Sequence, residues 1–427
     1  MLKKRLVYEL PYFVLASIII AFLFTHHPNL EYDVDPSYLQ FGPIRPPLYP
    51  LFIWLFHWAG SYQFIFIMWI QGALLFASLL YTRFWLEKNL QLSGFPIFLI
   101  CLFIILTIGL HFQIWFIQSE GLSFPFFIVT FFLLVECFHQ FNLKKISYLA
   151  ILVNILVLTR LQFYYFYIVF VMLWFWYLWQ RIPIKYLMKA MVILFGSMLL
   201  TTVIDHSYHY YKHGFFAGSP YKGILIMFQT LYLANDNAAD YFQDPTEKAY
   251  VQSLINQRNS QHLNQDVALL TTFKPSYYNY ANQSLNRNFM AIQKIIVDTL
   301  NTSIENSSGK ATNFKADKIA MSINKTLILH DLKKNILFLI WRFLDCMGGI
   351  PFFLFFLILF IGLSFKIVKE KIKQPSLSLS FVTIIIVITF LNAAIVAISN
   401  QNLPVYFCYS QFMLYCLGAF LVKRTVH

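Results

Sequence analysis

Charge is scarce in this sequence. Only 12% of its 427 residues are Asp, Glu, Lys or Arg, about half the share of a soluble globular protein, so a soluble fold is disfavoured. Cysteine is scarcer still, with Cys101, Cys137, Cys346, Cys408 and Cys416 scattered in or near apolar runs. An odd, dispersed set excludes a disulfide framework and zinc-type spacing and leaves small buried hydrophobes. No Gly-rich phosphate loop and no internal repeat is visible, so nothing points to a nucleotide-binding fold. Gly and Pro breaks inside the apolar runs are few, unlike the interrupted helices of many transporters.

Apolar and aromatic surface is abundant, at 59% hydrophobic residues with 47 Phe and 26 Tyr, which suits lipid contact and interfacial belts. Reading runs of membrane-crossing length gives about ten spans. Their cores are Val7–Phe24, Phe64–Tyr81, Phe95–Leu110, Leu122–Phe138, Ile146–Leu158, Phe163–Trp179, Met188–Ile204, Ile350–Phe365, Leu377–Ile398 and Tyr406–Val422. The first run has no obvious cleavage site and is expected to be retained. Leu48–Trp58 is apolar but short, and reads either as an interfacial helix or as the first turns of a tilted span.

The net charge of +13 is distributed against nucleic-acid binding. Basic residues recur at every second connection, as in Arg83/Lys88, Lys144/Lys145 and Lys366/Lys369. That is the positive-inside pattern, and it predicts both termini in the cytoplasm. The expected fold is an all-α integral membrane protein with about ten transmembrane helices and one large external loop domain. Residues 1–205 form a transmembrane module whose first external loop is 25–47, residues 206–335 the loop domain, and residues 336–427 the last helices. Thr246–Asn259 and Phe289–Thr299 read as amphipathic helices of the loop domain.

Chemistry-bearing residues gather in the first external loop. Glu31, Asp33 and Asp35 alternate and would share one side of an extended segment. Paired carboxylates can divide labour, one as general base and one orienting substrate or binding a divalent metal. A solvated acidic loop is the plain alternative. Glu120, at the outer end of the fourth span, could bind metal or sugar hydroxyls, or simply face water. Arg45 and Arg160 lie on the side otherwise poor in positive charge. They are candidates for holding a phosphate, or for internal ion pairs with Glu120 or Asp35. His206, His209 and His213 can share a helical face and with Asp205 could form a metal site, apart from the metal candidates Asp33 and Glu120; interfacial placement is the competing account. His26 and His27 border the acidic loop as supporting or interfacial groups. Arg342 and Asp345 read as a local ion pair.

A span, then Asp33-Val34-Asp35 with Tyr38, then Arg45-Pro46-Pro47-Leu48-Tyr49-Pro50 opening an apolar helix resembles the polyprenol-phosphate-sugar-dependent glycosyltransferases of the GT-C superfamily. The likeness is nearest to the protein O-mannosyltransferase and lipid A aminoarabinose transferase branch. It continues through Gln71, Gln118-Ser119-Glu120-Gly121-Leu122 and Thr159-Arg160, and covers Val7 to Ile204. Many relatives carry an Arg-Tyr pair before the last span, whereas this chain has Pro404-Val405-Tyr406 and Tyr409 without that Arg.

The resemblance implies a lipid-phosphate sugar donor, an inverting transfer, and Asp35 or Asp33 as general base. It implies donor contacts from Tyr38, Arg45, Tyr49, Glu120 and Arg160, and a glycan, glycolipid or protein as acceptor. A divalent metal ion is the one candidate cofactor, and a bacterial inner membrane the expected site. The alternatives are an O-antigen polymerase or ligase, which the early acidic motif disfavours, and a transporter or lipid flippase.

Overall fold

The computed structural model describes residues 2–29, 36–264, 267, 270, 275–304, 312–399 and 404–426. Among them the chain is helical throughout, and the one β-type contact is a single parallel bridge between Asn29 and Phe116. In chain order the helices are α1 (Leu2–Thr25), α2 (Pro36–Leu39), α3 (Leu48–Trp54), α4 (Gln63–Leu90), α5 (Gly94–Ile104) and α6 (Glu120–His139). Then follow α7 (Leu143–Thr159), α8 (Tyr165–Trp179), α9 (Ile184–His213), α10 (Lys222–Leu233), α11 (Pro245–Ser260) and α12 (Pro275–Ile304). The last are α13 (Thr312–His330), α14 (Leu332–Cys346), α15 (Ile350–Lys369), α16 (Leu377–Ser399) and α17 (Pro404–Val426).

Among the described residues six helical stretches are long and apolar enough to cross a membrane: His57–Leu90, Glu120–His139, Leu161–Trp179, Ile184–His213, Ile350–Lys369 and Leu377–Ile398. The remaining apolar runs are helical in α1, α5, α7 and α17 but fall outside that set. Residues 48–58 do not continue into α4: α3 ends at Trp54, and a 3-10 segment kinked at Gly60 (φ 55°) intervenes. Trp54, Leu55 and Trp58 are exposed there, as suits a short helix lying in a bilayer interface.

The chain divides into two compact units. The first joins Met1–Asp205, Leu357–Asn392 and Pro404–His427, so the last helices pack with the N-terminal module. Its centre is α6, 78% buried across its apolar window against 22% for α9. Lipid is as apolar as Leu, so such helices associate through close packing and buried polar contacts. Aromatic rings supply much of the packing. Phe127 meets Tyr409 edge-on at 5.0 Å, and Phe131 and Phe132 meet Phe412 at 6.0 and 5.9 Å. At the predicted cytoplasmic end, Arg83 forks onto Glu9, reaches Glu87 at 3.1 Å and lies over the Tyr12 ring. Glu136 accepts from Trp85 at 2.7 Å and pairs with Lys145 at 2.8 Å. Arg83 thus ties α4 to α1, Lys145 ties α7 to α6, and Trp85 ties α4 to α6.

The second unit, His206–Phe356 with Ala393–Leu403, is a helical bundle around Met227, Phe228, Tyr232, Ile255, Ile292 and Phe338. Its central helix α10 is capped from outside at both ends. Asp317 of α13 accepts from the Gly223 and Ile224 amides at 2.7 and 3.2 Å. Arg258 of α11 donates to the Leu231 and Ala234 carbonyls, and Lys334 of α14 to Leu233. An anion at the first turn and cations at the last complement the helix dipole. α11 begins at Asp244, whose carboxylate accepts from the Thr246 and Glu247 amides, with Pro245 in the first turn. The predicted helix over Thr246–Asn259 is α11; that over Phe289–Thr299 lies within the longer α12.

Candidate functional site

The site is built on the segments that flank the acidic loop. Asp33 and Asp35, with Glu31, lie outside the described residues. On the near side, the Asn29 amide donates to the Trp115 carbonyl at 2.9 Å, and the Trp115 indole donates to the His27 carbonyl at 3.1 Å. His26 stacks on Phe22 at 4.0 Å. On the far side, the chain turns back at once, with the Gly42 amide on the Ser37 carbonyl. A Cβ at Gly42 would meet Ser37 Cβ at 2.6 Å, so the turn needs glycine. The turn brings Arg45 back, its Nε donating to Ser37 Oγ at 3.2 Å and its guanidinium lying 4.5 Å above the Tyr38 ring. Tyr49, fully buried in α3, meets Tyr38 edge-on at 5.0 Å.

From Tyr38 a buried polar relay runs through three distant parts of the chain. The Tyr38 hydroxyl lies 3.1 Å from Ser119 Oγ. Ser119 donates its one proton to Glu120 Oε2 at 3.2 Å, so Tyr38 is the donor to Ser119. The other oxygen of Glu120 is ion-paired with Arg160. Arg160 in turn lies 5.3 Å from the Tyr406 ring centre. Tyr38, Ser119 and Glu120 are 5%, 1% and 3% exposed, so the relay is closed to solvent. Local structure explains the pair: Glu120 opens α6 and Arg160 closes α7, each charge complementing its helix dipole. A buried pair of this kind is held by mutual dependence, since removing one partner strands the other.

Around the relay, Gln162 and Asn392 both donate to the Tyr406 carbonyl, at 2.9 and 3.1 Å, and Gln162 also donates to Asn392 Oδ1 at 2.7 Å. Ser123 and Tyr409 are 2.7 Å apart. The Oε1 atoms of Gln113 and Gln162 are buried with no hydrogen-bond partner among the described residues. They are acceptors suited to a donor-rich ligand.

Of the candidates named from sequence, Tyr38, Arg45, Tyr49, Glu120 and Arg160 come together. For Arg160 the ion-pair account holds, with Glu120 as partner. Of the metal candidates, Asp33 lies outside the described residues. Glu120 has its carboxylate committed to Arg160 and Ser119, which does not fit a cation ligand. His206, His209 and His213 do share α9, but they pack on rings: His206 on Phe216, and His209 and His213 on Phe215. Among the described residues no three His, Cys, Asp or Glu converge to hold a metal ion. Arg342 donates to Gln229 and Asp345 accepts from Asn282; burial lowers the Arg342 guanidinium to about 10. Ser119 was not a candidate on its own, although its place beside Glu120 was the available signal. Asn392 was signalled only as an amide within an apolar run.

No protein-family model, no curated protein and no solved structure matches this chain.

Proposed function

We propose that the chain is a GT-C-type membrane glycosyltransferase. It would move a sugar from a polyprenyl-phosphate donor to an acceptor hydroxyl outside the cytoplasm of a bacterial inner membrane. The proposed topology has ten spans, with both termini cytoplasmic. One observation carries the reading: the Tyr38–Ser119–Glu120–Arg160 relay joins the end of the acidic loop to a membrane-level cation. Asp35 stands two residues before Ser37 in the chain, so covalent connection alone ties it to this cluster.

In the reaction, Asp35 or Asp33 takes the proton of the acceptor hydroxyl. The oxygen attacks the anomeric carbon from the face opposite the phosphate. The bond from that carbon to the phosphate oxygen breaks, and the polyprenyl phosphate leaves with the electron pair. Arg45 and Arg160 offset the charge that develops there. Because Arg160 already holds a carboxylate, the phosphate must compete with Glu120 for it. Gln113 and Gln162 offer acceptors for sugar hydroxyls.

The test is glycan and glycolipid mass spectrometry of cells lacking this chain, complemented with wild type, Asp33→Asn, Asp35→Asn or the double variant at matched membrane levels. Loss of a defined sugar mass, restored by wild type and not by at least one Asp variant, supports the transferase. Full rescue by both single variants and the double variant rejects it.

A further inference from the structure

The helix that leads into α15 carries its apolar face outward. Leu332, Ile336 and Ile340 of α14, with Leu329 just before it, are 46%, 47%, 47% and 61% exposed. Residues three and four apart are neighbours on a helix surface, so the four make one stripe. The face turned into the second unit is mixed. Asn335 and Arg342 are buried there with Phe338. The Gln229 side chain donates to the Asn335 carbonyl at 3.4 Å and accepts from Arg342 at 3.2 Å. A helix at the surface of a water-soluble bundle is patterned the other way, polar outside and apolar inside. A contiguous apolar stripe of this kind marks a surface that meets another apolar phase.

That phase lies at the end of the same helix. α14 ends at Cys346 and α15 opens at Ile350. α15 is apolar, of membrane-crossing length, and 11% buried across its window, so lipid covers its sides. Even fully extended, so short a link reaches no more than about 14 Å, and this one is folded back. Gly348 donates to the Asp345 carbonyl at 2.9 Å and Gly349 to that of Leu344 at 2.8 Å. Gly348 and Gly349 have φ of 85° and 92°, which favours glycine at both. Phe343, on the same side of α14 as Leu332, Ile336 and Ile340, meets the Phe353 ring of α15 edge-on at 5.9 Å. The stripe therefore runs up to the span. Lys333 is exposed beside it and can lay its stem on the apolar side with its ammonium at lipid phosphate. Where the chain enters the second unit from α9, Tyr210 and Tyr211 are also exposed, as at a membrane–water boundary.

We infer that α14 is a lipid-binding helix. It lies along the bilayer surface at the leaflet that α15 enters, with Leu332, Ile336 and Ile340 in the boundary between headgroups and acyl chains, and it seats the second unit there. Helices of this kind sink their apolar face about 5–10 Å into that boundary. The inference needs only the membrane and holds whether or not the chain transfers a sugar. The full-length protein carrying Ile336→Cys is labelled with a small fluorophore and placed in phosphatidylcholine nanodiscs. Their lipids bear a nitroxide either just below the headgroup or near the chain end. Gln252→Cys, at an exposed position of α11, is the control, and emission from wild type treated alike is subtracted.

Emission from the Ile336→Cys label should be lost to the shallow nitroxide and much less to the deep one, while the Gln252→Cys label loses little to either. Leu332→Cys and Ile340→Cys repeat the measurement on the same stripe and should behave as Ile336→Cys does. Emission on the stripe untouched by either nitroxide overturns the inference. Quenching by aqueous iodide would then put the stripe in water, and protection from iodide would put a protein surface over it, such as a second copy of the chain. Stronger loss to the deep nitroxide also overturns it, because α14 would then be part of the span.

Discussion

Glu120 and Arg160 show how a charged residue survives at membrane depth. Each sits at the helix end of matching dipole, and each is the other's counter-ion. Replacing Glu120 with Ala strands the guanidinium and should cost about 3–5 kcal/mol, whereas Glu120→Leu with Arg160→Met should cost much less. Thermal unfolding of the purified protein in nanodiscs, comparing the single and double variants, checks this. If the single variant melts like wild type, the pair has no such role. A smaller effect is expected at Tyr409→Phe, which leaves the buried Ser123 hydroxyl short of a partner and should cost about 1 kcal/mol. Glu120 and Arg160 were legible because charges interrupting apolar runs stand out. Ser119 was less so, since a serine beside a glutamate carries no signal until the fold brings Tyr38 to it.

At the scale of elements, α6 and α10 show two ways of fixing a helix. α6 is held by close approach. A Cβ on Gly121 would collide with the Gln71 side chain and come within 2.8 Å of the Gln113 carbonyl. Gly121→Ala should therefore destabilise the first unit by about 1–3 kcal/mol, read as a lower melting temperature and a smaller monodisperse fraction in size-exclusion chromatography. α10 is held by its ends, and one end has a pH signature. Burial raises the Asp317 carboxyl above its usual range, against the lowering effect of the Gly223 and Ile224 amides. A raised acid is penalised in the folded state once ionised, so its contribution is fully present below the unfolded value of about 4 and is lost as pH rises through the folded value. Asp317→Asn keeps the acceptor oxygen and removes the charge. The variant should melt at or above the wild-type temperature at neutral pH, and the gap should close below about pH 4. A lower melting temperature at neutral pH would show that the capping charge outweighs the desolvation.

For the whole molecule, apolar length made the helical architecture legible, because hydrocarbon imposes a strict length on whatever crosses it. Each run read as a span is helical, although α4 extends to Leu90 and α9 to His213, well past the apolar cores at Tyr81 and Ile204. Polar ends of a membrane helix carry no hydropathy signal. The spacing of His206, His209 and His213 places them on one helix but says nothing of what packs against that face, which the structure fills with Phe215 and Phe216.

The span count has a clean test. With ten crossings, Lys144 follows α1, α4, α5 and α6, and Gln252 follows these plus α7, α8 and α9, which puts them on opposite sides. With only the six that meet both the length and the hydropathy requirement, Lys144 follows two crossings and Gln252 four, on one side. Lys144→Cys and Gln252→Cys, treated with a membrane-impermeant maleimide in spheroplasts, should label at Gln252→Cys alone. Labelling of neither, or of both, would favour six.

The capping of α10 bears on how the protein is made. A helix of 12 residues is marginal by itself in water, and its end groups are satisfied by Arg258, Asp317 and Lys334, all synthesised later. While the ribosome is still adding α11 to α13, residues 222–233 are an apolar stretch without its caps. The second unit therefore closes only after α14 has emerged, and a nascent chain arrested before Lys334 should leave α10 open to protease where the finished chain protects it.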